Sequence, residues 1–160
     1  MSEKGDKAEQ LFKEGYNCSQ AVIGAFADEI GMDFETAVRL ASSFGGGMGR
    51  MREGCGTVSA MFMIAGLKMG YSDPKAPQEK KEHYARIMHL AEEFKQENGS
   101  IVCRELLGID NNGNPTPEAR TASYYKKRPC AELVRQAAEI IEKELEDAKT
   151  AKAPEDETGR

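Results

Sequence analysis

The stretch CGTVSAMFMIAGLK, Cys55 to Lys68, decides the fold, because wound as a helix it is apolar nearly all round. Such a helix has no side to give to water and belongs at the centre of a bundle. Gly70 closes it. Outward from it, the neighbouring segments carry apolar residues at helical spacing. Lys4 to Glu14 forms a first helix with Leu11 and Phe12 on one face. Asn17 caps a second helix, marked by Ala21, Val22, Ala25, Phe26 and Ile30, which Gly31 ends. Asp33 caps a third, with Ala37, Leu40, Ala41 and Phe44 on one face. Glu79 to Glu97 reads as a long amphipathic helix with Tyr84, Ile87, Met88, Ala91 and Phe94 inward. Ser100 caps a short helix from Ile101 to Leu107, and GIDNNGNPTP, residues 108–117, is an irregular loop. A short turn or helix follows around Glu118 to Ser123. Pro129 sits where a first helical position is expected, and the last helix runs on to about Ala148 with Leu133, Val134, Ala137, Ile140, Ile141 and Leu145 as its stripe.

No strand and no tandem repeat emerges. The pattern predicts an all-α protein, one compact domain of six or seven helices over residues 1–150. The polar tail, residues 151–160, is expected to be disordered. A chain of 160 residues suits one domain and can bury a core without disulfide staples. Its net charge of −5 disfavours general nucleic-acid binding, which needs a basic excess. No apolar run reaches the roughly 18 residues of a membrane span. The first ten residues, MSEKGDKAEQ, are charged and lack the apolar stretch of a secretory signal. The sequence is therefore read as cytoplasmic, where cysteines serve as metal ligands or redox thiols more often than as structural disulfides.

The four cysteines are Cys18, Cys55, Cys103 and Cys130, separated by 37, 48 and 27 residues. None forms a C-x-x-C pair, so zinc-ribbon, bacterial ferredoxin and haem-attachment spacings are absent. Their local settings say more. Cys18 follows the cap Asn17, and Cys55 follows Gly54 at the head of the core helix. Cys103 lies three residues after Ser100, and Cys130 follows Pro129. All four thiols thus fall in the first turn of four different helices. A helix N-terminus offers unpaired N–H donors and partial positive charge, which favours thiolate over thiol. Arg50, Arg52, Arg104, Lys126, Lys127 and Arg128 add nearby cations. Four such ends converging would suit an anionic iron–sulfur cluster. The competing reading is that each cysteine is a small core residue with no chemistry.

These residues resemble a known family, the redox-active proteins named for a C…GCAxxG…C…C pattern. The resemblance rests on Cys18, on Gly54-Cys55-Gly56-Thr57-Val58-Ser59, and on Cys103 and Cys130. The stretches Gly15-Tyr16-Asn17-Cys18-Ser19-Gln20-Ala21-Val22 and Gly45-Gly46-Gly47-Met48-Gly49 look like it as well, so that about Ala8 to Glu142 is covered. Gly56 stands where alanine is usual and Ser59 where the second glycine is usual. The family is similar to the iron–sulfur part of split-Soret cytochromes. That similarity implies a helical fold, one cluster held by Cys18, Cys55, Cys103 and Cys130, 2Fe–2S in preference to 4Fe–4S, and a role beside a redox partner protein or oxidoreductase. It also raises a homodimer, for which the helix faces are apolar enough, although nothing in the sequence selects one.

Other constellations carry less. The glycine run has neither a G-x-G-x-x-G nor a G-x-x-x-x-G-K-[ST] pattern and no preceding strand, and reads as a tight passage beside Cys55. His83 and His89, six apart on one helix, point to different sides. Met48 and Met51 are placed to shield a cluster from water. Tyr124-Tyr125-Lys126-Lys127-Arg128 is a basic–aromatic patch, either a solvated surface or a dock for an acidic redox partner. No catalytic constellation stands out. Electron transfer or redox sensing through an iron–sulfur cluster leads, with two alternatives. One is metal-free thiol–disulfide chemistry, the other a helical interaction module holding structural zinc.

Overall fold

A capping box starts the most buried helix of the protein. In the computed structural model, which describes the backbone of residues 2–158 and the side chains of residues 2–151, the Asn17 side chain accepts from the Gln20 N–H. The Gln20 side chain in turn accepts from the Asn17 N–H. Each satisfies an orphan donor of the first turn. Helix α2 (Cys18–Ala25) follows α1 (Glu3–Lys13) and precedes α3 (Phe34–Ala41), which the Asp33 carboxylate caps. A 3₁₀ turn (Ser42–Phe44) leads into a distorted turn, α4 (Gly45–Met48). Then come α5 (Gly56–Met69), α6 (Pro77–Asn98), α7 (Cys103–Leu107), α8 (Ala122–Lys127) and α9 (Cys130–Thr158). Six of these helices exceed seven residues, and no strand occurs among the described residues. The polar tail after 150 falls largely on residues outside those whose side chains are described.

The architecture is all-α, as the sequence predicts. Helix α5 does sit at the centre: Val58, Ala60, Met61, Ile64 and Ala65 are buried. It shares that place with α2, whose Ala21, Val22, Ile23 and Ala25 are all sealed. Helices α1 and α9 pack on one another and on α2, while α3 covers α2 and α6 covers α5 and α9. Arg135 of α9 pins α1 through ion pairs to Asp6 and Glu9 at 2.6 and 2.7 Å. The α9 stripe faces inward as expected through Leu133, Val134, Ala137, Ile141 and Leu145.

Two expected faces are rotated. In α6 the buried residues are Leu90 and Phe94, whereas Tyr84 and Met88 are exposed. Only one narrow stripe of this helix touches the bundle, so its remaining apolar residues stay in water. In α3, Val38 is buried and Leu40 exposed. The second helix ends at Ala25 rather than near Gly31, and looser turns fill the interval.

Candidate functional site

All four cysteines stand at helix starts. Cys18, Cys103 and Cys130 are the first residues of α2, α7 and α9, and Cys55 is the N-cap of α5. Their side chains line one cavity of about 70 Å³, closed by Phe12, Tyr124, Leu106, Leu107 and Leu133. That is several times the space one water needs. Cys55 and Cys103 are buried, Cys18 and Cys130 partly so.

The chain holds Cys55 beside Cys103 with main-chain bonds. The Cys55 N–H donates to the Ile101 carbonyl at 2.8 Å, and the Cys103 N–H donates to the Glu53 carbonyl at 2.6 Å. Gly54 and Val102 form the antiparallel bridge between them. This pairing displaces the expected cap. Helix α7 begins at Cys103 with Val102 as N-cap, and Ser100 instead accepts from the Val102 N–H and donates to Glu105.

The glycine-rich run winds the wrong way. Gly46, Gly47, Met48, Gly49 and Arg50 all have φ between 62° and 71°, and Arg52 follows at 62°. Left-handed backbone costs a residue with a side chain about 1–2 kcal/mol. The strain therefore sits at Met48, Arg50 and Arg52, the non-glycine residues of positive φ among those described. Its result is close approach. A Cβ on Gly47 would lie 2.6 Å from the Cys103 Cβ, and one on Gly56 would lie 2.7 Å from the Cys18 sulfur. The motif's usual alanine at 56 thus meets an obstruction in this chain. The passage meets Cys103 through Gly47 and Cys18 through the Gly46 N–H.

Arg52 is 5% exposed and directs its guanidinium at the Cys103 sulfur, 3.8 Å away. Arg120, which gave no signal in the sequence, also lines the cavity. It donates to the Phe12 and Tyr16 carbonyls at 2.7 and 2.9 Å and stacks 4.2 Å from the Phe12 ring. Arg128 lines it too, pairs with Glu118 and lies 5.3 Å from the Tyr124 ring. Burial lowers the Arg128 pKa, and Arg52 adds to the effect. The basic–aromatic patch is therefore split: Tyr124 and Arg128 line the cavity, while Lys126 and Lys127 stay exposed. Arg104 is exposed and pairs with Glu53 at 3.1 Å. Met48 and Met51 are exposed and line no part of the cavity, so water is excluded by aromatic and leucine side chains instead.

At Cys18, Cys55 and Cys130 burial outweighs the helix starts, and the thiols are not activated in the absence of metal. Backbone N–H groups of Gly46 and Ser19 do favour the Cys18 thiolate, but burial outweighs them and raises its pKa. Burial first, then the neighbouring Cys18, pushes Cys55 up to about 12, despite a 3.0 Å contact between its sulfur and the Thr57 hydroxyl. Cys130 is raised to about 12 by the same two causes. Cys18 acts on both neighbours, which places it at the hub of the group. Ser19, next to it, is fully buried with an unpartnered hydroxyl among the described residues. The trio of metal-ligating atoms lying mutually within 4.8 Å among those residues is His89, Glu93 and Glu144, on the surface. Among the described residues no three of the cysteine sulfurs meet that criterion.

An all-helical bundle converging four thiols on one cation-lined cavity defines a class, the helical four-cysteine proteins. Within it the chain belongs to the family described as Putative redox-active protein (C_GCAxxG_C_C), whose model matches residues 16–144. It is also similar to a protein of Archaeoglobus fulgidus named only "Uncharacterized protein", 28% identical over 160 residues covering 92% of this chain and 99% of the other. No solved structure matches the chain.

Proposed function

We propose that this chain is an electron-transfer or redox-sensing protein holding one iron–sulfur cluster on Cys18, Cys55, Cys103 and Cys130. The observation that carries the reading is the convergence of four thiols from four separate helix starts on one cavity. The donor set fits the group. Four sulfurs supply the full ligand complement, and Arg52, Arg120 and Arg128 offset the negative charge of a thiolate-ligated centre. Raised thiol pKa values fit as well, because a bound cation draws off the protons that burial otherwise retains. They disfavour a metal-free exchange site, which needs a ready thiolate. Sulfurs around a single zinc would sit about 3.8 Å apart, given Zn–S bonds of about 2.3 Å. No three of the four cysteine sulfurs lie mutually within 4.8 Å, a looser set than that. The family resemblance favours 2Fe–2S.

When bound, such a cluster supplies one-electron transfer. The chain's own residues bind it, balance its charge and keep water from it through Phe12, Tyr124 and the leucines. Exposed Lys126 and Lys127 beside the site suit an acidic redox partner, with cytoplasmic action the setting this reading assumes. The test is iron and acid-labile sulfide analysis of anaerobically purified protein, with its visible spectrum, beside Cys55→Ser. Wild type is expected to be coloured and to hold both elements, and the variant to lose them. Colourless zinc-bearing protein, or metal-free protein with a redox-dependent thiol count, sinks the reading in favour of one of the two alternatives.

A further inference from the structure

A second, more open cleft of about 430 Å³ shares a wall with the thiol cavity through Asn17, Gly46, Arg52, Arg120, Tyr124 and Arg128. Arg50 lines this cleft and not the thiol cavity. Four guanidinium groups therefore surround it, from two chain segments some seventy residues apart. The facing carboxylate, Glu118, is taken by Arg128. Arg50, Arg52 and Arg120 have no carboxylate partner among the described residues. This concentration of positive charge sits on a chain whose net charge is −5.

The arginines are held in place rather than splayed into water. Arg50 donates to the carbonyls of Asn114 and Thr116, which ties the 108–117 loop over the cleft. That loop is itself ordered by Asn side chains: Asn111 accepts from the Gly113 N–H at 2.8 Å and Asn114 from the Thr116 N–H at 3.0 Å. Arg52 is fixed by its buried, left-handed backbone, and Arg120 by two carbonyls and the Phe12 ring. Holding like charges together without counter-charge costs stability, and a bound anion relieves it. Pre-set guanidinium forks bind oxyanions at low entropic cost. The cleft volume falls within the roughly 300–1,000 Å³ of small-ligand pockets.

We propose that this cleft binds a small molecule carrying a doubly charged oxyanion group, a phosphate or a dicarboxylate, and holds it against the wall it shares with the cysteines. The ligand is then a substrate or effector of the thiol site. The proposal asks no thiol to carry charge and stands whether or not iron is bound.

Calorimetric titration of the full chain with inorganic phosphate, and separately with succinate, at fixed ionic strength tests it, using both iron-loaded and metal-stripped protein. Saturable one-to-one binding of at least one probe is expected, and which one binds identifies the oxyanion. Arg50→Gln is expected to weaken it by about tenfold or more, the worth of a charged hydrogen bond, with iron and sulfide content unchanged. Lys126→Gln, outside the cleft, is expected to bind as wild type. Should Arg50→Gln fail to fold, Arg50→Lys keeps the charge, loses the fork and is expected to bind several-fold more weakly. No saturable binding of either probe, wild-type affinity in the Arg50 variant that folds, or equal damage from Lys126→Gln overturns the proposal. Phosphate binding by a chain that never takes up iron leaves this inference standing and defeats the cluster alone.

Discussion

Helix α5 joins two regions built by different rules. Along its body, Val58, Met61, Ile64 and Ala65 meet α2, α6 and α9 in a core where Phe26, Ile23, Phe94 and Ile141 are also sealed. At its head the backbone is left-handed on residues that resist it, an arginine is buried, and a void of about 70 Å³ remains among the thiols. Dense apolar packing is the stabilising half. The cysteine end stores strain, cavity and charge, the costs that mark a site rather than a scaffold. The two halves should therefore respond oppositely to relief of crowding.

The largest expected effect tests the scaffold. Phe26→Ala removes a fully buried ring and should cost about 3–5 kcal/mol in denaturant unfolding. A loss under about 1 kcal/mol would show that the core is not what holds the strained end. Next comes a pH effect on the metal-free protein. The Cys55 and Cys130 thiols rise from an ordinary 9.0 to about 12 on folding. Below pH 9 both folded and unfolded chains keep these protons, and the contribution to stability is whole. Between about 9 and 12 the unfolded chain releases them while the folded chain holds on, so stability falls as pH rises. Each such thiol adds a slope of about 1.4 kcal/mol per pH unit. Cys55→Ser should flatten the measured slope by about that amount, and an unchanged slope would mean that the buried thiol is not protonated. The smallest effect is a gain. Met48→Gly relieves a positive φ of 67° at an exposed position and should stabilise by about 0.5–1 kcal/mol. The scaffold offers no such opportunity, since glycine at Met61 would open a cavity.

Much of the scaffold was legible because it obeys local rules. An all-round apolar segment announced α5, the asparagine and aspartate caps announced α2 and α3, and the periodic stripe of α9 carried through to the structure. The four cysteines were legible for the same reason, since cap and helix-start signals lie within a few residues of each. What stayed hidden was non-local. The pairing of Gly54 with Val102 moved the start of α7, and no periodicity encodes a two-residue bridge. Arg120 lies in a stretch read as a short turn or helix, which the structure leaves irregular just ahead of α8, and only its reach to Phe12 and Tyr16 makes it part of the site. The left-handed turns at Arg50 and Arg52 are invisible because arginine carries no preference for them. For Cys18, Cys55 and Cys130 the pKa expectation erred in sign, because helix starts are local while burial comes from the whole fold.

The bridge between residues 54 and 102 also sets a sequence in time. Two of the four sulfurs are spaced by main-chain bonds that form only after the long α6 hairpin has closed, and the last sulfur emerges from the ribosome nearly thirty residues later, on a helix that must dock against α1. A chain that lacks α9 therefore brings together no more than three of the four thiols. The complete set of four thiols exists only once α9 has docked.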